Sequence, residues 1–200
     1  MNINIQDFLE PEPLHEWQRA PFNLGSRTVA TTPWAIISIP KDDQYEPLES
    51  HMENAVQAQL DKIKNHKFKP MPAIEMPELI DCTLCDSTGT THIARCSECH
   101  GAGYVEFATT FNDYNPACLT CKGQCMEILP GGDETCQLCR GKGASFNEKT
   151  PIEIEGVHVN PNLLLPISSA PNLQIATDKE THMLFFKASD AEGVIAGMKL

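Results

Sequence analysis

The most regular apolar pattern in the chain is helical. Met52, Val56, Leu60 and Ile63 recur at i, i+4, i+8 and i+11 behind an S-x-x-E capping box, Ser50 and Glu53. This predicts a helix running to about His66 and stopping before Pro70. Ahead of it the apolar runs are short. Ile3, Ile5, Phe8 and Leu9 form an alternating run broken by Pro11 and Pro13, and residues 14–20 predict a short helix with Leu14 and Trp17 on one side. Residues 28–31 and 34–39 are rich in β-branched and aromatic side chains, and with Thr32-Pro33 between them they predict a hairpin. Proline at the density of residues 70–77 cannot continue a helix, so an extended linker is expected there.

Period-two patterning returns after residue 144. Ile152 and Ile154 alternate with Glu153 and Glu155, and Val157 and Val159 follow Gly156. Leu163 to Leu165 predict a short helix or turn, interrupted by Pro166 and closed by Pro171. Residues 173–176, 183–187 and 194–198 predict three short strands, with turns at 177–180 and 189–193. Neither flank holds enough large apolar residues for more than a marginal core alone. The expected architecture is therefore α+β. Residues 1–80 and 145–200 form one small strand-rich body with one longer helix and one or two short ones, interrupted by residues 81–144.

Composition narrows the class. The 200 residues carry a net charge of −12, spread along the chain, and no segment is a basic arm. Binding by wholesale phosphate neutralisation is thus disfavoured, and DNA is not the favoured partner. No stretch approaches 18 consecutive apolar residues, so no membrane span is expected. The first 30 residues hold Asp7, Glu10, Glu12 and Glu16 without an apolar core, so a secretory signal is not expected either. All nine cysteines fall between Cys82 and Cys139, as close pairs plus one. An odd, clustered set points to metal in a reducing, cytoplasmic setting instead of a disulfide framework.

Those cysteines form a fourfold repeat: Cys82-Thr-Leu-Cys85-Asp-Ser-Thr-Gly89, Cys96-Ser-Glu-Cys99-His-Gly101-Ala-Gly103, Cys118-Leu-Thr-Cys121-Lys-Gly123-Gln-Cys125 and Cys136-Gln-Leu-Cys139-Arg-Gly141-Lys-Gly143. A C-x-x-C turn presents two thiolates from one tight knuckle, and zinc wants four in a tetrahedron, so four knuckles make two sites. Glycine after the second cysteine suits a backbone that must bring N–H groups to sulfur with φ > 0. Free thiols are the plain alternative, and thiol–disulfide exchange the redox one. The latter needs a thiolate at a helix N-terminus, whereas these pairs are followed by glycine and β-type sequence. Structural zinc is the expected role. Cys125 falls outside two complete ligand sets and reads as a semi-buried thiol, while His92 and His100 read as neighbours of the sites and not as ligands.

The repeat resembles the cysteine-rich domain of the DnaJ co-chaperones, four copies of CxxCxGxG. The second and fourth units match in full, the first has Ser87 for its first glycine, and the third has Cys125 for its last. The resemblance implies a nested pairing. Cys82, Cys85, Cys136 and Cys139 would share one Zn2+, and Cys96, Cys99, Cys118 and Cys121 the other. It also implies a V-shaped pair of β-hairpin extensions, with residues 104–111 strand-like inside the inner loop, and a capacity to contact polypeptide. The His-Pro-Asp tripeptide and the Gly/Phe-rich linker of that family do not occur in these residues, so J-domain activity is not expected. The flanks in turn are similar to a DNA-polymerase sliding-clamp domain, with residues 183–200 as its last hairpin, an arrangement that suggests a phage or prophage product.

Other chemistry is sparse. Lys62, Lys64, Lys67 and Lys69 with His66 form the one basic cluster, which would touch phosphate in a clamp-like protein or simply face solvent at a helix C-terminus. No HExxH, nucleophile elbow or Gly-rich phosphate loop occurs, and zinc sites with four cysteines leave no open coordination position. The expected protein is non-enzymatic. It binds a protein partner or unfolded polypeptide through its zinc module; the alternative is an accessory of DNA replication or recombination with a clamp-like body.

Overall fold

The computed structural model describes residues 3–9, 15–48, 52–136, 138–139, 141–147 and 149–199. The chain divides into two compact units, residues 1–78 with 146–200, and residues 79–145. In the first flank the elements are β1 (Phe22–Leu24), β2 (Arg27–Thr31), β3 (Ala35–Pro40), α1 (Glu53–Ile63) and β4 (Lys69–Pro70). The inserted unit holds β5 (Ile80–Asp81), β6 (Thr90–Arg95), β7 (Phe107–Ala108), β8 (Asp113–Tyr114), β9 (Met126–Pro130), β10 (Glu134–Thr135) and β11 (Ala144–Ser145). The second flank adds β12 (Ile152–Ile154), β13 (Val157–Val159), α2 (Pro161–Ser168), β14 (Gln174–Asp178), β15 (Met183–Ala188) and β16 (Ala191–Ala196).

Both flanks contribute to one antiparallel sheet, ordered β1-β2-β3-β16-β15-β14-β4. The seam lies between β3 and β16, where Ile36 sits opposite Val194 and Ile37 opposite Gly193. Period-two alternation sorts the strand residues onto two faces. Ala30, Ile37, Ile175, Leu184, Phe186 and Ile195 pack with Leu164 and Ile167 of α2 and with Ile5 and Phe8. Val29, Ala176, Phe185 and Val194 pack on the opposite side with Val56, Leu60 and Ile63 of α1. The sheet is therefore covered on both faces, which is why its central strands read as nearly continuous apolar runs.

Several local expectations change. The opening run is not extended: Ile5–Phe8 is a 3₁₀ turn capped by the Asn4 side chain, and it buries Ile5 and Phe8. The helix expected over 14–20 is a single 3₁₀ turn, Glu16–Gln18; Leu14, and Ser50 of the capping box, lie outside the described residues. β1 was not expected, because Phe-Asn-Leu offers no β-branched residue and too few positions for alternation. α1 stops at Ile63, and the next residues close i→i−3 turns such as Lys64 N–H to the Asp61 carbonyl. Within the presumed linker, Lys69–Pro70 pairs with β14 at the sheet edge, where proline's missing N–H costs no ladder bond.

Pro166 does not break α2. Asn160 caps the helix, with its side chain accepting from the Asn162 N–H, and Pro161 occupies the first turn. An interior proline costs about 3 kcal/mol, and burying Leu164 and Ile167 returns roughly 1.5–3 kcal/mol each. Packing wins. The last strand begins at Ala191, ahead of the expected position, because Gly193 is a strand residue and not a turn. A Cβ there would lie 2.5 Å from the Phe186 ring and against the Ile36 carbonyl, so glycine is what lets the strands close.

Candidate metal centre

In the inserted unit, β6 and β9 form the central ladder, with Ile93 opposite Ile128, and β10 pairs on the other edge of β6. β6 runs from the first cysteine knuckle to the second, and β9 leaves the third. β10 leads into the fourth. The ladder thus separates the two ends at which knuckles meet. At one end Cys82, Cys85, Cys136 and Cys139 converge, and at the other Cys96, Cys99, Cys118 and Cys121, each group with all its sulfurs within 4.8 Å of one another.

The spacing is that of a filled tetrahedron. Cys82 Sγ lies 3.7 Å from Cys136 Sγ, and Cys85 Sγ lies 3.6 Å from Cys139 Sγ. The corresponding distances at the other site, Cys96 to Cys118 and Cys99 to Cys121, are both 3.7 Å. Zinc–thiolate bonds of about 2.3 Å place tetrahedral sulfurs about 3.8 Å apart. All eight ligands are buried and free of disulfides, so the two clusters fit two zinc ions.

Each site is closed by the same backbone clasp. The N–H of the first cysteine in one knuckle donates to the last carbonyl of its partner: Cys82 to Gly143 and Cys136 to Gly89 in one site, Cys96 to Cys125 and Cys118 to Gly103 in the other. The final glycines donate N–H to sulfur, Gly89 to Cys85 at 3.3 Å, Gly103 to Cys99 at 3.2 Å and Gly143 to Cys139 at 3.2 Å. Gly89 has φ of +79°, and a Cβ on it would sit 2.5 Å from the Gly141 carbonyl oxygen. The repeat's glycines are thus required both for backbone angle and for close approach of paired knuckles.

The cluster thiols are unequal in their intrinsic acidity. Burial pushes Cys85 up, but the Gly89 N–H and the neighbouring thiols outweigh it and bring it down to about 7. Cys99 behaves alike: burial opposes, while the N–H groups of Gly103 and Gly101 prevail and lower it to about 7. Burial raises Cys139 to about 12. Cys96 is raised to about 11: hydrogen bonds from the Cys99 and Glu98 backbone act to lower it but are outweighed by burial and by Cys99 and Cys118. Four thiolates cannot coexist in so small a volume without a cation, which is the charge balance a bound Zn2+ supplies.

Cys125 joins neither group; its thiol lies 3.8 Å from the Gly123 carbonyl oxygen. His92 Nδ1 lies 2.8 Å from the Gly131 carbonyl oxygen, and His100 serves through its backbone, at φ of 51°. The lysine cluster belongs to the other unit, and its side chains are exposed. Lys64 pairs with Asp61 at 2.7 Å, Lys69 with Glu155, and Lys62 donates to Gln59 at 2.9 Å. His66 stacks on Phe185, with ring centroids 4.0 Å apart. Sequence reasoning expected strand-like residues over 104–111 and missed how many apolar side chains are exposed there. Phe107 and Tyr114 stack across the β7–β8 hairpin at 4.9 Å, Tyr104, Val105 and Phe111 are exposed on the same stretch, and Leu119 is exposed within the third knuckle. Alternation could not reveal it, because the strands there are two residues long.

Comparison with known proteins agrees with this geometry. An alignment of 80 positions, taking in 38% of the chain, is 35% identical to the chaperone protein DnaJ of Polaromonas naphthalenivorans and covers 20% of that protein. DnaJ of Vesicomyosocius okutanii is 31% identical over a stretch of the same length, covering 21% of it, and that of Sinorhizobium medicae is 32% identical, covering 20%. The chain spans about a fifth of the length of these relatives. No family model and no solved structure matches it. With its two four-cysteine clusters, the chain carries a DnaJ-type zinc-binding module. Among the described residues, no helix is long and apolar enough to cross a membrane.

Proposed function

We propose that the chain is a non-enzymatic polypeptide-binding protein whose zinc module holds apolar segments of other proteins, chaperone-like and without J-domain activity. The observation that carries this reading is the set of exposed apolar side chains from Tyr104 to Tyr114, with Leu119 in the third knuckle. Phe111 is 90% exposed on the β7–β8 turn, and Leu119 is 91% exposed between the buried ligands Cys118 and Cys121. Large apolar side chains grouped in water mark an interaction surface. Here they are carried on backbone clasped around a metal cluster, so the surface persists without a core beneath it. Relatives of the module are chaperones by name, which supports the same class of partner. Ligand sets of four cysteines leave no coordination position for a reacting water, so the zinc is assigned a structural role. Free thiols at all nine cysteines suit a reducing compartment such as the cytoplasm.

Light scattering from a chemically unfolded model protein diluted into buffer tests this. The zinc-loaded chain is expected to suppress aggregation at near-stoichiometric ratios. The combined variant Phe107→Ser, Phe111→Ser and Leu119→Ser should keep both zinc ions and lose most of the effect. Equal suppression by that variant would refute the reading.

A further inference from the structure

The body unit has a second surface, independent of the zinc module. A groove of about 560 Å³ lies between the extended segment 73–78 and residues 150–153, within the roughly 300–1,000 Å³ usual for ligand clefts. Its apolar lining is Ile74, Met76, Pro77 and Ile152, and its acidic lining is Glu75, Glu78 and Glu153. All three carboxylates are exposed. Along one wall runs β12, which pairs with β13 on one edge only; among the described residues its other edge has no ladder partner. We propose that this groove receives an extended peptide of alternating apolar and basic residues, added as a strand to the open edge of β12.

Three features select that occupant. The free edge offers backbone N–H and C=O groups, which an extended chain satisfies and a globular surface does not. β12 reads Ile152, Glu153, Ile154, with Ile154 buried in the core and Glu153 exposed. An added strand inherits the same alternation, setting apolar side chains beside Ile152 and Ile154 and basic ones beside Glu153. Glu75 and Glu78 extend the acidic rim on the facing segment, and His158 Nε2 lies 3.9 Å from Glu153. Nucleic acid is excluded by the sign of the rim. Among the described residues, the three carboxylates do not gather into a metal-holding group.

Fluorescence anisotropy with a labelled peptide of alternating lysine and valine tests the proposal on the intact, zinc-loaded chain. Binding is expected, at least tenfold weakened by the combined variant Glu75→Gln, Glu78→Gln and Glu153→Gln. Removing the same charge elsewhere, with Glu16→Gln, Glu53→Gln and Glu180→Gln, should change affinity less than twofold. A glutamate–valine peptide, and a lysine–valine peptide N-methylated along one edge, should both bind at least tenfold more weakly. The peptide should also slow amide exchange at Glu153, whose N–H faces the open edge of β12. Unchanged affinity in the groove variant, equal binding of either control peptide, or loss of binding only in the Phe107→Ser and Phe111→Ser protein would overturn it.

Discussion

At Ser87 and Cys125 a side chain sits where the repeat elsewhere carries glycine, and both adopt left-handed backbone, at φ of 63° and 68°. That conformation presses Cβ toward the following carbonyl, a cost glycine avoids. Ser87→Gly and Cys125→Gly are each expected to stabilise the zinc-loaded module by about 0.5–1 kcal/mol after glycine's greater unfolded-state entropy is subtracted, measured by denaturant unfolding. The ligands respond differently. Cys96→Ser removes one sulfur from the inner set only, so metal analysis should fall from two zinc ions per chain to one, with Cys82, Cys85, Cys136 and Cys139 still loaded. Zinc also displaces thiol protons, and in the unfolded, zinc-free unit those thiols titrate in the ordinary cysteine range, at about 8.5. Zinc affinity, measured by competition with a chelator of known pH dependence, should therefore rise steeply between pH 6 and pH 8. The ligand residues were legible from spacing, since C-x-x-C is a local chemical requirement. The left-handed residues Asp86, His100 and Lys122 were not, because their side chains give no sign of backbone angle.

Elements show where pattern reading reaches its end. Strands β2, β12 and β13 declared themselves through alternation or β-branched runs, and β15 through an apolar run with two phenylalanines. Gly193 looked like punctuation and is instead a strand position filled by the Phe186 ring from the neighbouring strand. Gly193→Ala is accordingly expected to destabilise the body by about 1–3 kcal/mol, the usual cost of overpacking, read as a lower thermal midpoint with zinc content unchanged. Pro166 misled in the opposite sense, because a two-turn helix held by Leu164 and Ile167 does not depend on each backbone bond. In both cases the deciding contact is made across the sheet. It comes through the Phe186 ring and the Ile36 carbonyl for Gly193 and through the sheet face under Leu164 and Ile167 for Pro166, and a pattern along the chain does not display it.

For the whole molecule, two compact units imply two sources of stability. The body buries apolar clusters on both faces of a seven-stranded sheet, whereas the buried hydrophobic groups of the inserted unit are the cysteine clusters themselves. A strong chelator should unfold the inserted unit and leave slow amide exchange in β3, β15 and β16; simultaneous loss of protection in both would contradict that division. The α+β class was legible from several short strand patterns beside one periodic helix, and the union of the flanks was expected because each alone is poor in large apolar residues. The seam between β3 and β16 was not, since pairing partners 150 or more residues apart leave no local trace.

The pairing of β5 with β11 sets Ile80 beside Ser145 and Asp81 beside Ala144. The excursion of the chain between them begins and ends on neighbouring strands, so to the body's covalent path it is equivalent to a long hairpin loop. Such a piece is portable: exchanging it for a short turn, or grafting it onto an unrelated hairpin, asks nothing of either host but two adjacent strand ends. The likeness to chaperones, which covers 38% of the chain, is then one that a module of this kind can carry without the body around it.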